Sequence, residues 1–188
     1  MENERARLEH LQEKHFDLLF AGALNKSIWK FTTSKINCVL DFRRYFDTAL
    51  AEKDRHASLP FAVFDKYTGK YSGSTPFGNI SQEHKRLEIG WTWYAEDAQR
   101  TGLNRACKFL LLSYCFEILM LNRVELKTSL LNERSQTSMK KIGAIQESIL
   151  RRHMIHEDGY LRDSVYFSFI KEEWPQIKET YFAPFITN

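Results

Sequence analysis

Long apolar runs are missing from this chain. The longest, residues 109–121, is interrupted by Ser113, Tyr114 and Glu117. Crossing a bilayer takes about 20 consecutive apolar residues, so this stretch reads as a buried core helix, and no membrane partner is expected. The opening residues Met1-Glu2-Asn3-Glu4-Arg5 show neither a basic leader nor an apolar segment after it, so no secretion signal is expected there. Cysteine is scarce: Cys38, Cys107 and Cys115 show no metal-ligand spacing. On one helix, Cys107 and Cys115 would sit about 12 Å apart, beyond the reach of a disulfide. A reduced, cytoplasmic protein is the simplest expectation, and no metal is expected. An excess of one charge is lacking too. The 27 Lys and Arg residues against 24 Asp and Glu leave only +3, too little to argue for a nucleic-acid partner. With four prolines and eight glycines there is no linker, repeat or low-complexity stretch, so one domain over 1–188 is expected. A composition of 43% hydrophobic and 27% charged residues is ordinary for a soluble globular fold.

What is present centres on residues 87–143. Leu87, Ile89, Trp91 and Trp93 alternate with Glu88, Gly90, Thr92 and Tyr94, which predicts one strand with the four apolar residues on one face. Aromatics on one strand face usually belong to the core, so the side chains of Trp91 and Trp93 are expected there. A polar connection leads to Gly102. From Leu103 the apolar residues Cys107, Leu110, Leu111 and Tyr114 recur at helical spacing. Val124, Leu126 and Thr128 then alternate with Arg123, Glu125 and Lys127 in a second strand. Strand, glycine loop, helix and strand make one βαβ crossover. The first amides of a helix lack intrahelical partners and carry the positive end of its dipole, so the loop can converge on a phosphate. Gly102 permits close approach, and Arg100, Arg105 and Lys108 add charge nearby.

Taken in order, residues 5–11 predict a first strand and Phe16, Leu19, Phe20, Ala23 and Leu24 an amphipathic helix. Residues 25–31 follow as a turn or short helix whose Trp29 packs on the core. A second helix spans about 38–53, with Asn37 as its N-cap. Residues 61–65 and 70–80 form two strands joined by Lys66-Tyr67-Thr68-Gly69, the second expected to pair irregularly because it is Gly- and Ser-rich with Pro76. Gly143 suits a helix C-cap. A long strand over 144–155 then turns at Asp158-Gly159 into a returning strand marked by Val165, Phe167 and Phe169. A helix over 172–182 takes Pro175 in its first turn. Antiparallel strands with one parallel crossover predict an α+β fold, a mixed sheet flanked by helices.

Three ordered motifs carry a family resemblance. Gln99-Arg100-Thr101-Gly102-Leu103-Asn104 resembles the pyrophosphate loop of the GNAT acyl-CoA-dependent N-acetyltransferases. Leu87-Glu88-Ile89-Gly90-Trp91 resembles their fourth strand, and Asn132-Glu133-Arg134-Ser135 with Lys141-Ile142-Gly143-Ala144 resembles their Asn-x-x-Ser and Lys-x-Gly-Phe segment. Asn104 stands where the family usually has Gly or Ala, and Ala144 where it has Phe. The combination looks most like the RimJ/RimL branch, whose members acetylate N-terminal amines of ribosomal proteins or other amines. The resemblance implies a mostly antiparallel sheet of about seven strands with splayed fourth and fifth strands. It implies acetyl-CoA as co-substrate, a primary amine acceptor such as a protein N-terminus, and direct transfer, and it admits a homodimer. By the same resemblance, backbone atoms of Trp93 and Tyr94 would meet the pantetheine arm and the 99–104 loop would hold the pyrophosphate. Asn132 would contact the CoA arm, and Ser135 would assist the leaving thiolate.

Each assignment has a plainer counterpart. Asn132 and Ser135 also read as helix-capping residues. Gly90 is consistent with a bulge that aims an N–H at a developing oxyanion. Glu88 reads equally as the proton acceptor or as a sheet-face carboxylate paired with Lys85 or Arg86. A CoA-binding module without turnover and a Rossmann dinucleotide enzyme are the rival classes. The latter wants three loop glycines where this chain has one.

Overall fold

The computed structural model describes residues 1–186. Its elements in chain order are β1 (Ala6–His10), α1 (Phe16–Ala23), α2 (Val39–Asp54), β2 (Leu59–Asp65), β3 (Lys70–Ser81), β4 (Arg86–Ile89), β5 (Trp93–Tyr94), α3 (Leu103–Ser113), β6 (Arg123–Ser129), α4 (Glu133–Lys140), β7 (Ile145–Ile155), β8 (Leu161–Ile170) and α5 (Trp174–Phe182). The sheet order is β1-β2-β3-β4-β6-β8-β7, with β5 paired beside β4 on β3. Among the described residues only β4 and β6 run parallel, because α3 carries the chain between them.

Helices cover both faces. On one face α3 and α5 bury Leu87, Ile89, Val124, Leu126, Val165, Phe167 and Phe169 against Leu103, Cys107, Leu111, Trp174 and Phe182. On the other, α1 and α2 pack Leu19, Phe42 and Phe46 over Ala62 and Trp93. Trp29 sits in this second core, its indole N–H donating to Ala23 O at 2.7 Å.

The fourth strand departs from the expected single run, which is why eight strands appear instead of about seven. It breaks at Gly90, Trp91 and Thr92, where Trp91 takes a positive φ of 45°. One irregular insertion reverses the alternation of every residue after it. Leu87 and Ile89 therefore face α3, whereas Trp93 is 4% exposed on the α1/α2 face. Trp91 is not a core residue: it is 44% exposed and lies across Gly78, where an added Cβ would come within 2.5 Å of its ring. The second helix also starts one residue later than expected. Cys38 is its N-cap, while the Asn37 amide donates to Asp41. The irregular pairing expected of β3 is present as register shifts against both neighbours.

Candidate active site

The site begins where the sheet stops being a ladder. β4 pairs with β6 only through Arg86↔Arg123, Leu87↔Val124 and Glu88↔Glu125. Beyond this point, among the described residues, β6 continues to Ser129 against β8 alone, and β5 pairs with β3 alone. The facing edges of β5 and β6 leave a wedge between them. The Ala95 amide donates to Ser72 O at 2.8 Å. By antiparallel alternation the backbone groups of Trp93 turn toward β3, and those of Tyr94 face the wedge. Tyr94 O already accepts from Gln99 Nε2 at 2.9 Å, which leaves its N–H toward the opening. The Gly90 N–H donates to Pro76 O at 3.3 Å and so does not offer itself to an oxyanion.

The 99–104 loop closes the wedge at the start of α3. Gly102 is the N-cap residue at φ 89°, and among the described residues nothing but its chain neighbours lies within 4 Å of the place a Cβ would occupy. The amides of Gly102, Asn104 and Arg105 have no hydrogen-bond partner among the described residues, and that of Leu103 has only a 3.4 Å contact to Thr101 Oγ1. Open backbone and unpaired donors at the positive end of an eleven-residue helix fit an anionic phosphate. Of the three basic residues expected here, Arg100 is exposed on the loop, but the other two are committed elsewhere. Arg105 Nε donates to Tyr181 O at 2.7 Å, and Lys108 is buried.

The start of α4 stands beside the loop. The side chain of Asn132 accepts from the Ser135 amide at 3.1 Å, so Asn132 caps the helix and brings Ser135 into its first turn. Arg134 donates to Gln99 Oε1 at 2.6 Å, and Asn104 Nδ2 donates to Ser138 Oγ at 3.2 Å. These two contacts tie the loop and the start of α3 to α4, so Gln99, Arg100, Thr101, Gly102, Leu103, Asn104, Asn132 and Ser135 gather at one end of the wedge. Arg134, named only as part of the Asn-x-x-Ser motif, was given no role by the sequence, and Ser138 was not singled out at all. Their signal was helical spacing, since both lie on α4 within a turn of Ser135.

Glu88 belongs to the other face of the sheet. It is 1% exposed, and its Oε2 accepts from Asn79 Nδ2 at 2.7 Å and from Lys127 Nζ at 2.9 Å. Its partner is thus neither Lys85 nor Arg86; Arg86 turns to Glu125 at 3.5 Å. Oε1 lies over Gly90, where an added Cβ would come within 2.5 Å, so the strand break and the carboxylate share one space. Lys127 also stands 5.2 Å from the Trp91 ring centroid. The Trp91 ring separates this polar group from a cavity of about 340 Å³ walled by Tyr45, Ser74, Pro76, Trp91, Glu52 and Glu157, which Glu88 itself does not line.

Beneath the break, Lys108 Nζ lies 3.4 Å from Thr92 Oγ1, which in turn is 2.8 Å from Thr75 Oγ1. Burial depresses the Lys108 ammonium to about 8, although the Glu88 charge favours it. Burial pushes the Cys107 thiol up to about 12, and Cys115 is raised for the same reason.

Comparison with known proteins bears on this arrangement. The family model described as an acetyltransferase (GNAT) domain matches residues 5–145. The chain is similar to YdaF, a candidate ribosomal N-acetyltransferase of Bacillus subtilis (strain 168), at 33% identity over 108 residues. That match covers 57% of this chain and 58% of the relative, so the likeness spans little more than half of YdaF. Among solved structures it resembles a GCN5-related N-acetyltransferase from Brucella melitensis, at TM-score 0.89 and 29% identity, over 97% of this chain and 83% of that one. A candidate acetyltransferase from T. thermophilus superposes at TM-score 0.88 and 29% identity, over 99% and 96% of the two chains.

Proposed function

Because the chain belongs to the GNAT acetyltransferase family, we propose that it transfers an acetyl group from acetyl-CoA directly to a primary amine, the α-amine of a protein or peptide. The observation that carries this reading is the wedge between β5 and β6, with unpaired α3 amides at its end. An extended pantetheine arm fits the open β5 edge through the Tyr94 N–H, and a pyrophosphate fits the Gly102 turn. The acceptor approaches from the Glu88 face through the cavity beside Trp91.

In this mechanism the amine lone pair attacks the thioester carbonyl carbon and the C–S bond breaks. The amine proton passes to Glu88, which Asn79 and Lys127 orient, and Ser135 donates a hydrogen bond to the departing thiolate. The demand on the protein is small. An α-amine near 7.7 is about one-sixth neutral at pH 7, a penalty of about 1 kcal/mol, whereas a lysine near 10.4 would cost about 4.6 kcal/mol. The similarity to YdaF, named as a ribosomal N-acetyltransferase, supports a ribosomal protein as the source of the acceptor, and the pKa difference favours its α-amine.

The test is thiol release from acetyl-CoA in the presence of N-terminal peptides, lysine peptides, polyamines and aminoglycosides. Turnover greatest with peptides bearing a free N-terminus, and abolished by blocking it, is expected. Turnover with polyamines or aminoglycosides alone would replace the acceptor assignment. Binding of CoA without turnover on any amine would leave a CoA-binding module.

A further inference from the structure

The phosphate loop is held from behind by a residue 96 positions earlier in the chain. Arg5, immediately before β1, is buried, as is Asp65 at the end of β2. The guanidinium grips both carboxylate oxygens: one nitrogen donates to Asp65 Oδ1, and the other reaches Oδ2 at 3.0 Å and Thr101 Oγ1 at 3.1 Å. Thr101 Oγ1 donates in turn to Ala98 O at 2.8 Å and accepts from the Leu103 amide at 3.4 Å. One hydroxyl therefore ties Ala98 and Leu103, on either side of Thr101, to a fixed cation. The cation is itself immobilised: the Tyr67 ring stacks 4.1 Å from its central carbon, and Asp65 Oδ1 also accepts the Tyr67 amide at 2.9 Å. A neighbouring contact acts on the helix behind the loop, where Asn3 Nδ2 donates to Ala106 O at 3.1 Å.

We infer that Arg5 is a positioning residue for the acyl-CoA pyrophosphate, acting through the Thr101 hydroxyl to fix the angle at which the α3 amides converge. This rests on the reading that the 99–104 loop holds the pyrophosphate. An ion pair that only fastened β1 to β2 would need the bidentate grip on Asp65 and nothing more. The guanidinium here spends a donor on the loop, and its planar fork is what allows both contacts at once. Lysine at this position keeps the charge opposite Asp65 but cannot span both partners. Thr101→Val keeps the shape and removes the acceptor.

The experiment measures CoA affinity by calorimetry, with acetyl-CoA and acceptor KM values, for Arg5→Lys, Thr101→Val, their double variant, Thr101→Ser and Gly102→Val. Each of the first two is expected to weaken CoA about tenfold, the scale of one charge-assisted hydrogen bond. The double variant is expected to be no weaker than either single, since both remove one interaction. Thr101→Ser restores affinity, and the acceptor KM stays put while that for acetyl-CoA rises. Wild-type affinity in folded Thr101→Val, or strictly additive losses, would overturn the brace. So would an Arg5→Lys protein that loses thermal stability while its CoA affinity is kept. If Gly102→Val also binds CoA as wild type does, the loop assignment itself fails; if Gly102→Val alone is weak, only the brace fails.

Discussion

A lysine ammonium inside the core gives a stability prediction with a definite sign. Lys108 is buried among α3, Thr92 and the two cysteine thiols, and its single polar contact among the described residues is 3.4 Å long. Burial takes it from 10.5 to about 8, a cost to the folded state at pH 7 of about 3 kcal/mol at 1.36 kcal/mol per pH unit. Lys108→Met keeps the aliphatic stem and removes the charge. It forfeits the Thr92 contact, worth about 1 kcal/mol, and leaves a net gain of about 2 kcal/mol. For a chain of this length that raises Tm by about 4–8 °C. The pH dependence follows from which state holds the proton. Between pH 8 and 10.5 the unfolded chain keeps it while the folded one has lost it, so wild-type stability rises with pH over that window. The advantage of Lys108→Met is therefore full at pH 7 and shrinks toward pH 10. Arginine cannot shed its proton in this range, so Lys108→Arg is destabilised throughout. Urea titrations of the three proteins at pH 7, 8.5 and 10 read these differences. A methionine variant less stable than wild type at pH 7, or a gap independent of pH, would refute the reasoning.

Other predictions concern the site. Gly102→Val places a β-branched residue at a φ of 89° in the proposed phosphate loop, so CoA affinity should fall sharply in a folded protein, as read by calorimetry. Ser135→Ala should lower kcat about tenfold in the thiol-release assay, the effect of about 1.4 kcal/mol; no change would remove Ser135 from the mechanism. Glu88→Gln should cost most in kcat/KM at pH 6, where the amine is protonated, and recover toward pH 9. An equal deficit across that range would make Glu88 structural. A Cys107→Ala, Cys115→Ala double variant should retain turnover, because both thiols are buried and pushed up in pKa. A folded but inactive double variant would point to an acetyl-enzyme intermediate.

By itself the sequence determined whatever is encoded within one turn of helix or one strand. The 3.6-residue repeat of Leu103, Cys107, Leu110 and Leu111 made α3, and Asn132 three residues before Ser135 made a cap. Asp158-Gly159 made a hairpin turn between β7 and β8, and the open backbone at Gly102 followed from the residue type. These depend on contacts a few bonds apart, so local spacing sufficed. The tertiary structure decided what depends on distant partners. Alternation placed Trp91 and Trp93 on one face, but the break at Gly90 sends Trp91 outward over Gly78 and Trp93 into the α1/α2 core. Composition offered Lys85 and Arg86 to Glu88, yet the sheet order sets Lys127 beside it from a parallel strand 39 residues on. Lys108, read as a charge near the phosphate, is turned inward because its position on α3 faces the sheet. The Arg5 contact with Thr101 exists only because the start of β1 and the loop meet in the folded sheet. Such pairings follow from strand order and register, which no window of neighbouring residues contains.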